Sequence, residues 1–374
     1  MRVLIRQFLN ANHSWAHVGR GIATALISQK HDVDLFSTDG GNNIPDNLKS
    51  HLIGYSEENK LAFGKLPDNH YDMVISYTAL KNMQPYLSHA PKNRFGIWTY
   101  EFAGKNALPD GFAKCYRFAD QLLPPSNFAK QVFLDSGIPN SAMTVIPHGV
   151  DFEQINSAIP FKLKTKKSTK IMVQPLGQIH RRKNIDGLLD MYGKAFDKSD
   201  DVCLVLKIQE KTPTQPFELS FRDLYNNFNN KYKNHAEVEI IREYIPNIYS
   251  LYKACDIVFT ASNTEGFGMC ALEANALGLI NIAPRYGGFL DFLNSDNSLL
   301  IDGKEFMVPA NYLYWQGKIG TKAFKPDLDD GVSKLRFAVS NKDELLKRYK
   351  CNIEETEKNY NWLTITNKIL KLAV

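Results

Sequence analysis

Thr260-Ala-Ser-Asn-Thr-Glu265-Gly-Phe-Gly268-Met-Cys-Ala-Leu-Glu273-Ala-Asn-Ala-Leu-Gly278 joins three kinds of local structure in one run. The residues from Ile257 to Thr260 read as a strand, a polar loop with two glycines follows, and a segment of small and apolar residues then reads as a helix ending at Gly278. Gly266 and Gly268 let a ligand approach the backbone, and the first-turn amides of the helix offer donors in a positive field. Such a loop suits a polar or anionic ligand. From Met269 to Leu277 the helix is apolar almost all round, yet it carries Glu273, and a carboxylate there needs a partner. Glu265 precedes the helix, so both acids are able to face one cleft. The purely structural alternative is that Glu265 favours the helix dipole and Glu273 meets a buried Lys or Arg.

The 374 residues suffice for two domains, each with its own core. A hydrophobic content of 44% with 23% charged residues is that of a water-soluble globular chain. No apolar run approaches the length of a membrane span and charge recurs at once after Met1, so no span or signal peptide is expected and the expected location is the cytoplasm. The five cysteines are odd in number and widely spaced, which fits reduced core residues better than a disulfide framework or a zinc site. A net charge of +5 is compatible with a diphosphate, an anionic membrane surface contacted peripherally, or a nucleic acid, and does not choose among them.

In the first half, Val3 to Phe8 reads as a buried strand and His17 to Lys30 as an amphipathic helix, with the loop Asn10 to Gly21 between them. Strand, glycine-bearing loop and helix open a doubly wound sheet, whose ligands gather beyond the strand ends. Further strands are expected at residues 32–38, 71–78, 94–101, 120–126 and 143–147. Ile146-Pro-His148-Gly149-Val-Asp151 has the proline and glycine of a turn at a domain edge. The lysine-dense stretch Phe161 to Lys170 reads as a solvated linker. A second alternating pattern starts at Ile171, with Gln178-Ile-His-Arg181-Arg182-Lys183-Asn184 leading into a helix from Ile185 to Phe196. Arg285-Tyr-Gly287-Gly288 is a further turn able to approach a ligand. Residues 306–330 read as irregular, with Tyr312, Tyr314 and Trp315 clustered, and Trp362 to Leu372 as an amphipathic helix.

Glu265, seven residues and Glu273, with Gly-Phe-Gly directly after the first acid, resemble the E-x7-E signature of retaining, nucleotide-sugar-dependent glycosyltransferases of family four. The Pro-His-Gly-Val-Asp turn, the Arg-Arg-Lys loop and the order of elements extend the resemblance over nearly the whole chain. It implies an α/β chain with the GT-B fold, two Rossmann-like doubly wound domains facing a central cleft. Residues 1–160 would form the acceptor-side domain, 161–170 the linker, 171–355 the nucleotide-sugar domain, and 356–374 a helix crossing back to the first domain.

The implied reaction is retaining transfer of a sugar from a nucleoside-diphosphate sugar to a hydroxyl of a saccharide or lipid-linked glycan. In the family, Glu273 would hold the donor ribose, and Glu265 with the Gly266, Phe267 and Gly268 backbone would hold the sugar hydroxyls. Lys183 and Arg182 would stabilise the leaving diphosphate. Where the family has an arginine this chain has Gln178, so that Arg181 or Arg182 must supply the charge. Glu101, at a strand end, is the candidate of the first domain for contacting donor or acceptor, and His13, Trp15 and Gly19 stand on the acceptor side. No cofactor and no metal are expected. An alternative acceptor is a hydroxymethylated base of DNA, since Leu35-Phe-Ser-Thr-Asp-Gly40 has the look of phage-encoded sequences and some phage DNA glycosyltransferases share this architecture. A non-catalytic nucleotide-binding or interaction module is the alternative of another class.

Overall fold

A computed structural model describes residues 1–373 except 12, 57–70, 89, 91, 177–178, 210–212, 214–217 and 313–317. Gln178, Tyr314 and Trp315 lie outside the described residues. The chain divides into two compact units.

Unit 1 contains Met1–Tyr100, Lys105–Asp151 and the chain from Lys358 onward. Its strands are β1 (Arg2–Gln7), β2 (Asp32–Ser37), β3 (Leu52–Tyr55), β4 (Met73–Tyr77), β5 (Arg94–Ile97) and β6 (Gln121–Leu123). They form one sheet in the order β3-β2-β1-β4-β5-β6, parallel throughout. β1 and β4 are buried almost throughout, around the apolar runs Val3–Ile5 and Met73–Ile75, because both faces of such a sheet are covered. The order reverses between β1 and β4, which makes the carboxyl ends of these two strands the switch point. Residues 143–147 are not the expected strand: Met143 makes only an isolated bridge to Leu122.

The helix Trp362–Leu370 belongs to this unit, and its Trp362 ring explains two glycines. A Cβ on Gly21 would lie 2.1 Å from that ring and one on Gly149 2.7 Å, so both are the space the indole occupies. Val150 N donates to Tyr360 O at 2.7 Å beside it.

Unit 2 contains Glu101–Gly104 and Phe152–Glu357. Its strands are β7 (Thr169–Val173), β8 (Val202–Lys207), β9 (Glu237–Ile241), β10 (Ile257–Phe259), β11 (Ile280–Pro284) and β12 (Leu299–Ile301), ordered β12-β11-β10-β7-β8-β9 and parallel. Here the order reverses between β7 and β10. The core lies between this sheet and helices Ile185–Ala195 and Leu328–Ser340, with Ile171, Leu188, Leu204, Ile257 and Leu335 each fully buried.

Two expectations need correction. The division between units falls at Asp151/Phe152, and the lysine-dense stretch is part of unit 2. The Glu239 carboxylate accepts from Lys164 N and Thr165 N, each at 2.9 Å, and Phe161 N donates to Ser250 O at 2.8 Å. Its lysine side chains reach solvent while its backbone is hydrogen-bonded to the unit, a distinction that charge density alone does not reveal. The described residues of 306–330 are also not all irregular: they include parts of an antiparallel hairpin of β13 (Gly303–Met307) and β14 (Lys322–Pro326), followed by the start of helix Leu328–Ser340. No helix among the described residues is long and apolar enough to cross a membrane.

Candidate functional site

The carboxyl ends of β7 and β10 carry a buried cluster of charged residues in unit 2. After β7 come Gln174 and a short 3-10 turn, Arg181–Lys183, which Asn184 ends in a left-handed conformation at φ 50°. After β10 comes the loop from Thr260 to Gly268. The two segments are stitched together: Asn263 N donates to Arg182 O at 2.8 Å, Arg182 Nη1 to Thr264 O at 2.8 Å, and Asn184 Nδ2 to Ala261 O at 2.9 Å. The basic turn is therefore fixed by the backbone of the acidic loop, not left as a surface cap.

Glu265 is the centre of this arrangement, with 8% of its surface exposed. Lys183 Nζ stands 2.5 Å from its Oε1 and Arg182 Nη1 2.8 Å from its Oε2, while Ser262 Oγ donates to Oε1 at 2.9 Å. Burial raises the pKa of Glu265, but the charges and hydrogen bonds of Arg182 and Lys183 together outweigh it and bring it down to about 2. The acid is ionised at any working pH. Gln174 extends the network, donating to Ser262 Oγ at 3.2 Å. Burial and then the charges of Arg182 and Lys183 hold His180 neutral, at about 4.

Glu101 meets the same cluster, its Oε1 lying 3.7 Å from Arg182 Nη2, and Thr264 Oγ1 donates to its carbonyl. Read as part of the first domain, Glu101 instead lies in unit 2, because Ala103 and Lys322 of β14 exchange backbone hydrogen bonds of 3.0 and 2.8 Å. The hairpin also reaches the acidic loop, where Phe324 N donates to Asn263 O at 2.8 Å and Asn263 Nδ2 contacts Tyr312 Oη at 3.4 Å. Of the two arginines, Arg182 is the buried one that contacts Glu265; Arg181 contributes its carbonyl to Asn263 Nδ2 at 3.4 Å.

The helix Met269–Ala276 opens at Gly268, whose φ is 92°. A Cβ there would strike the Phe289 ring at 2.2 Å. The Phe267 ring packs on Phe292, with centroids 5.3 Å apart. Gly287 and Gly288, read as a second turn open to a ligand, are instead packed against the acidic loop: a Cβ on Gly288 would lie 2.3 Å from Gly266 O, and one on Gly287 2.7 Å from Glu265 O. Close backbone contact accounts for both.

Among the described residues no cation pairs with Glu273. Its Oε2 accepts from Tyr252 Oη at 2.6 Å, and burial pushes its pKa up to about 7 against that hydrogen bond. Cys270, one turn earlier, is pushed up to about 12 by burial and the charge of Glu273. A phenol stands where the purely structural alternative put a Lys or Arg, which leaves the carboxyl poised near neutrality with acceptor capacity to spare.

In unit 1 the switch point carries aromatic residues. Trp15 stacks on Tyr77 at 4.7 Å, Phe8 lies 5.8 Å from Trp15 and 5.2 Å edge-on from His13, and Tyr77 Oη meets His148 Nε2 at 3.3 Å. Phe8 and Trp15 are partly exposed and His13 exposed. The helix here, Ser14–Ser28, starts earlier than expected, with His13 Nδ1 as its cap acceptor. Gly19 is consequently not in the loop: it is buried in the helix, where a Cβ would lie 2.1 Å from Gln7 Nε2. Packing of helix on strand explains that glycine.

Sequence reading missed Gln174, Ser262, Asn263 and Tyr252. Ser262 and Asn263 sit in the quoted run, and a polar loop directly after a buried strand was their signal. Tyr252 reaches Glu273 only through the packing of its helix, which no local pattern reveals.

Residues 157–307 match the family described as Glycosyl transferases group 1. A rod-shaped virus of Sulfolobus islandicus has a relative named uncharacterized glycosyltransferase 335, 25% identical over 250 residues, or 61% of this chain and 69% of the viral one. The sulfoquinovosyl transferase SQD2 of Arabidopsis thaliana is 30% identical over 118 residues, 32% of this chain but only 19% of the plant protein. Among solved structures, HepE of Anabaena in complex with UDP and glucose superposes with a TM-score of 0.72 at 14% identity, covering 99% of this chain and 98% of its own. The chain thus has the GT-B fold, and the match to the glycosyl transferases group 1 lies within its unit 2.

Proposed function

We propose that the protein is a retaining glycosyltransferase that takes a sugar from a nucleoside-diphosphate sugar held in unit 2 and places it on a hydroxyl of a saccharide or lipid-linked glycan. The observation that carries this reading is the meeting of Arg182, Lys183 and Glu265 at the β7/β10 switch point, with Glu273 farther along the adjoining helix. In this reading Lys183 and Arg182 neutralise the diphosphate as the bond from sugar carbon to phosphate oxygen breaks, which stabilises the charge where it develops. Glu273 accepts from the ribose hydroxyls. Glu265 accepts from hydroxyls of the sugar, and Glu101 lies beside Arg182 to do the same. The acceptor oxygen bonds to the sugar carbon on the face the diphosphate leaves, and its proton passes to the departing phosphate oxygen.

Side-chain cations supply the charge, so no divalent ion enters the scheme; loss of transfer on adding a chelator would contradict that. For the acceptor, the partly exposed Phe8 and Trp15 and the exposed His13 of unit 1 offer rigid aromatic surface suited to the apolar face of a sugar ring.

HepE was solved with UDP, which makes UDP the first nucleotide to test. Thermal unfolding with UDP, GDP, ADP, dTDP and CDP tests the reading. A nucleotide at one hundred times its Kd adds about 2.7 kcal/mol of stability. One nucleotide is expected to shift the transition of the wild-type protein; no shift with any of them in a folded sample removes the proposal.

A further inference from the structure

The two cations of the basic turn are paired with a carboxylate of the chain itself. Lys183 Nζ and Arg182 Nη1 take one oxygen each of Glu265, at 2.5 and 2.8 Å, and Ser262 Oγ adds a third donor at 2.9 Å. A planar carboxylate bridging two cations with its two oxygens is what two oxygens of a phosphate group would do in the same place. Three donors converging on one buried anion make an anion site, and its occupant is the chain's own side chain. The donors are not free to swing away, because Arg182 is tied by its Nη1 to Thr264 O and by its carbonyl to Asn263 N.

We propose that Glu265 occupies the anion subsite in the ligand-free protein and that a diphosphate binds by displacing it from Lys183 and Arg182. The inference rests on the nucleotide-sugar reading above and deepens it. Breaking the contact opposes the binding of any diphosphate. A diphosphate that arrives with its sugar compensates, since the freed carboxylate then accepts from the sugar hydroxyls. A bare diphosphate brings nothing for Glu265 to accept from. The site therefore discriminates in favour of the intact donor, and after transfer the returning Glu265 helps to expel the diphosphate product.

The test uses inorganic pyrophosphate, which has neither ribose nor sugar, titrated calorimetrically into the full chain. In Glu265→Gln, which keeps the shape and one acceptor but no charge, pyrophosphate is expected to bind about tenfold more tightly than in the wild type, as loss of one charge-assisted competitor implies. Asp329→Asn, which removes an exposed carboxylate paired with Lys194, is expected to leave pyrophosphate affinity unchanged. Equal or weaker binding in Glu265→Gln, or no binding to either protein, overturns the inference. If Glu265→Gln does not fold, Glu265→Asp replaces it: its shorter arm cannot hold both cations at once, so tighter binding is again expected and unchanged affinity refutes. Tightening for pyrophosphate without binding of any nucleoside diphosphate would uphold displacement and remove the nucleotide-sugar reading. UDP binding to the wild type without tightening in the variant would do the reverse.

Discussion

Replacing Glu273 by glutamine should make the ligand-free protein more stable at alkaline pH while weakening its hold on nucleotide. Burial raises the pKa of this acid from its ordinary 4.5 to about 7, opposed by the hydrogen bond from Tyr252. The folded state therefore binds a proton more tightly than the unfolded state, so stability falls as pH rises from about 4.5 through 7. With these two values the raised pKa costs about 1 kcal/mol of stability at pH 5.5, where the unfolded chain is already ionised, and about 3 kcal/mol at pH 8. Glutamine has no charge to desolvate and retains an acceptor for Tyr252 Oη. Some of the gain is offset by a weaker neutral hydrogen bond, leaving a net stabilisation of about 1–2 kcal/mol at pH 8. For a domain of this size that is roughly 2–8 °C in Tm. The assay is thermal unfolding of wild type and Glu273→Gln between pH 5.5 and 8. The wild type should lose about 2 kcal/mol more than the variant across that interval. A variant less stable than the wild type at pH 8, with parallel pH profiles, would refute the reasoning.

The same proton links to ligand. If the ribose requires the ionised carboxylate, lowering the pH from 8 to 6 should weaken UDP binding by about tenfold more in the wild type than in Glu273→Gln, the variant correcting for titration of the nucleotide itself. Calorimetry at the two pH values reads the difference, and equal slopes would exclude Glu273 as the group. Neither Tyr252 nor Cys270, both pushed upward by burial, titrates in that window. Tyr252→Phe removes the 2.6 Å donor and lets the carboxyl pKa rise further, so UDP affinity at pH 7 should fall about tenfold and recover in part at pH 9. Pyrophosphate affinity should not change, and an equal loss for both ligands would mean that Tyr252 merely supports the fold.

The parallel sheets were legible because strands covered on both faces have apolar centres, as Val3–Ile5 in β1, Met73–Ile75 in β4 and Val202–Leu206 in β8 show. The acidic loop was legible for a different reason: glycines and a charged residue between a buried strand and a buried helix have few structural explanations. Beyond that, local pattern failed where partners were distant. The lysine-dense stretch looked like a linker because its charge is visible and its backbone hydrogen bonds to Glu239 are not. Gly19, Gly21, Gly149 and Gly288 looked like turn or ligand glycines, whereas Gln7, Trp362 and the Gly266 carbonyl fill the space beside them. The hairpin β13–β14 was hidden because a two-stranded ribbon on the surface has neither a continuous apolar run nor a clean alternation, and its anchoring to Ala103 and Asn263 spans long sequence separations.

Anomeric analysis of the released sugar tests the central claim most directly. Wild-type protein is incubated with α-linked UDP-glucose, or with the sugar of whichever nucleotide stabilises it, and the first-formed product is followed by proton NMR. Retaining transfer at the Lys183–Arg182–Glu265 site predicts that an α-linked product, or α-sugar passed to water, appears first and that Lys183→Ala slows it by about 10²–10³-fold. A β-configured first product, or a nucleotide that binds while no donor sugar is ever released, would contradict the account.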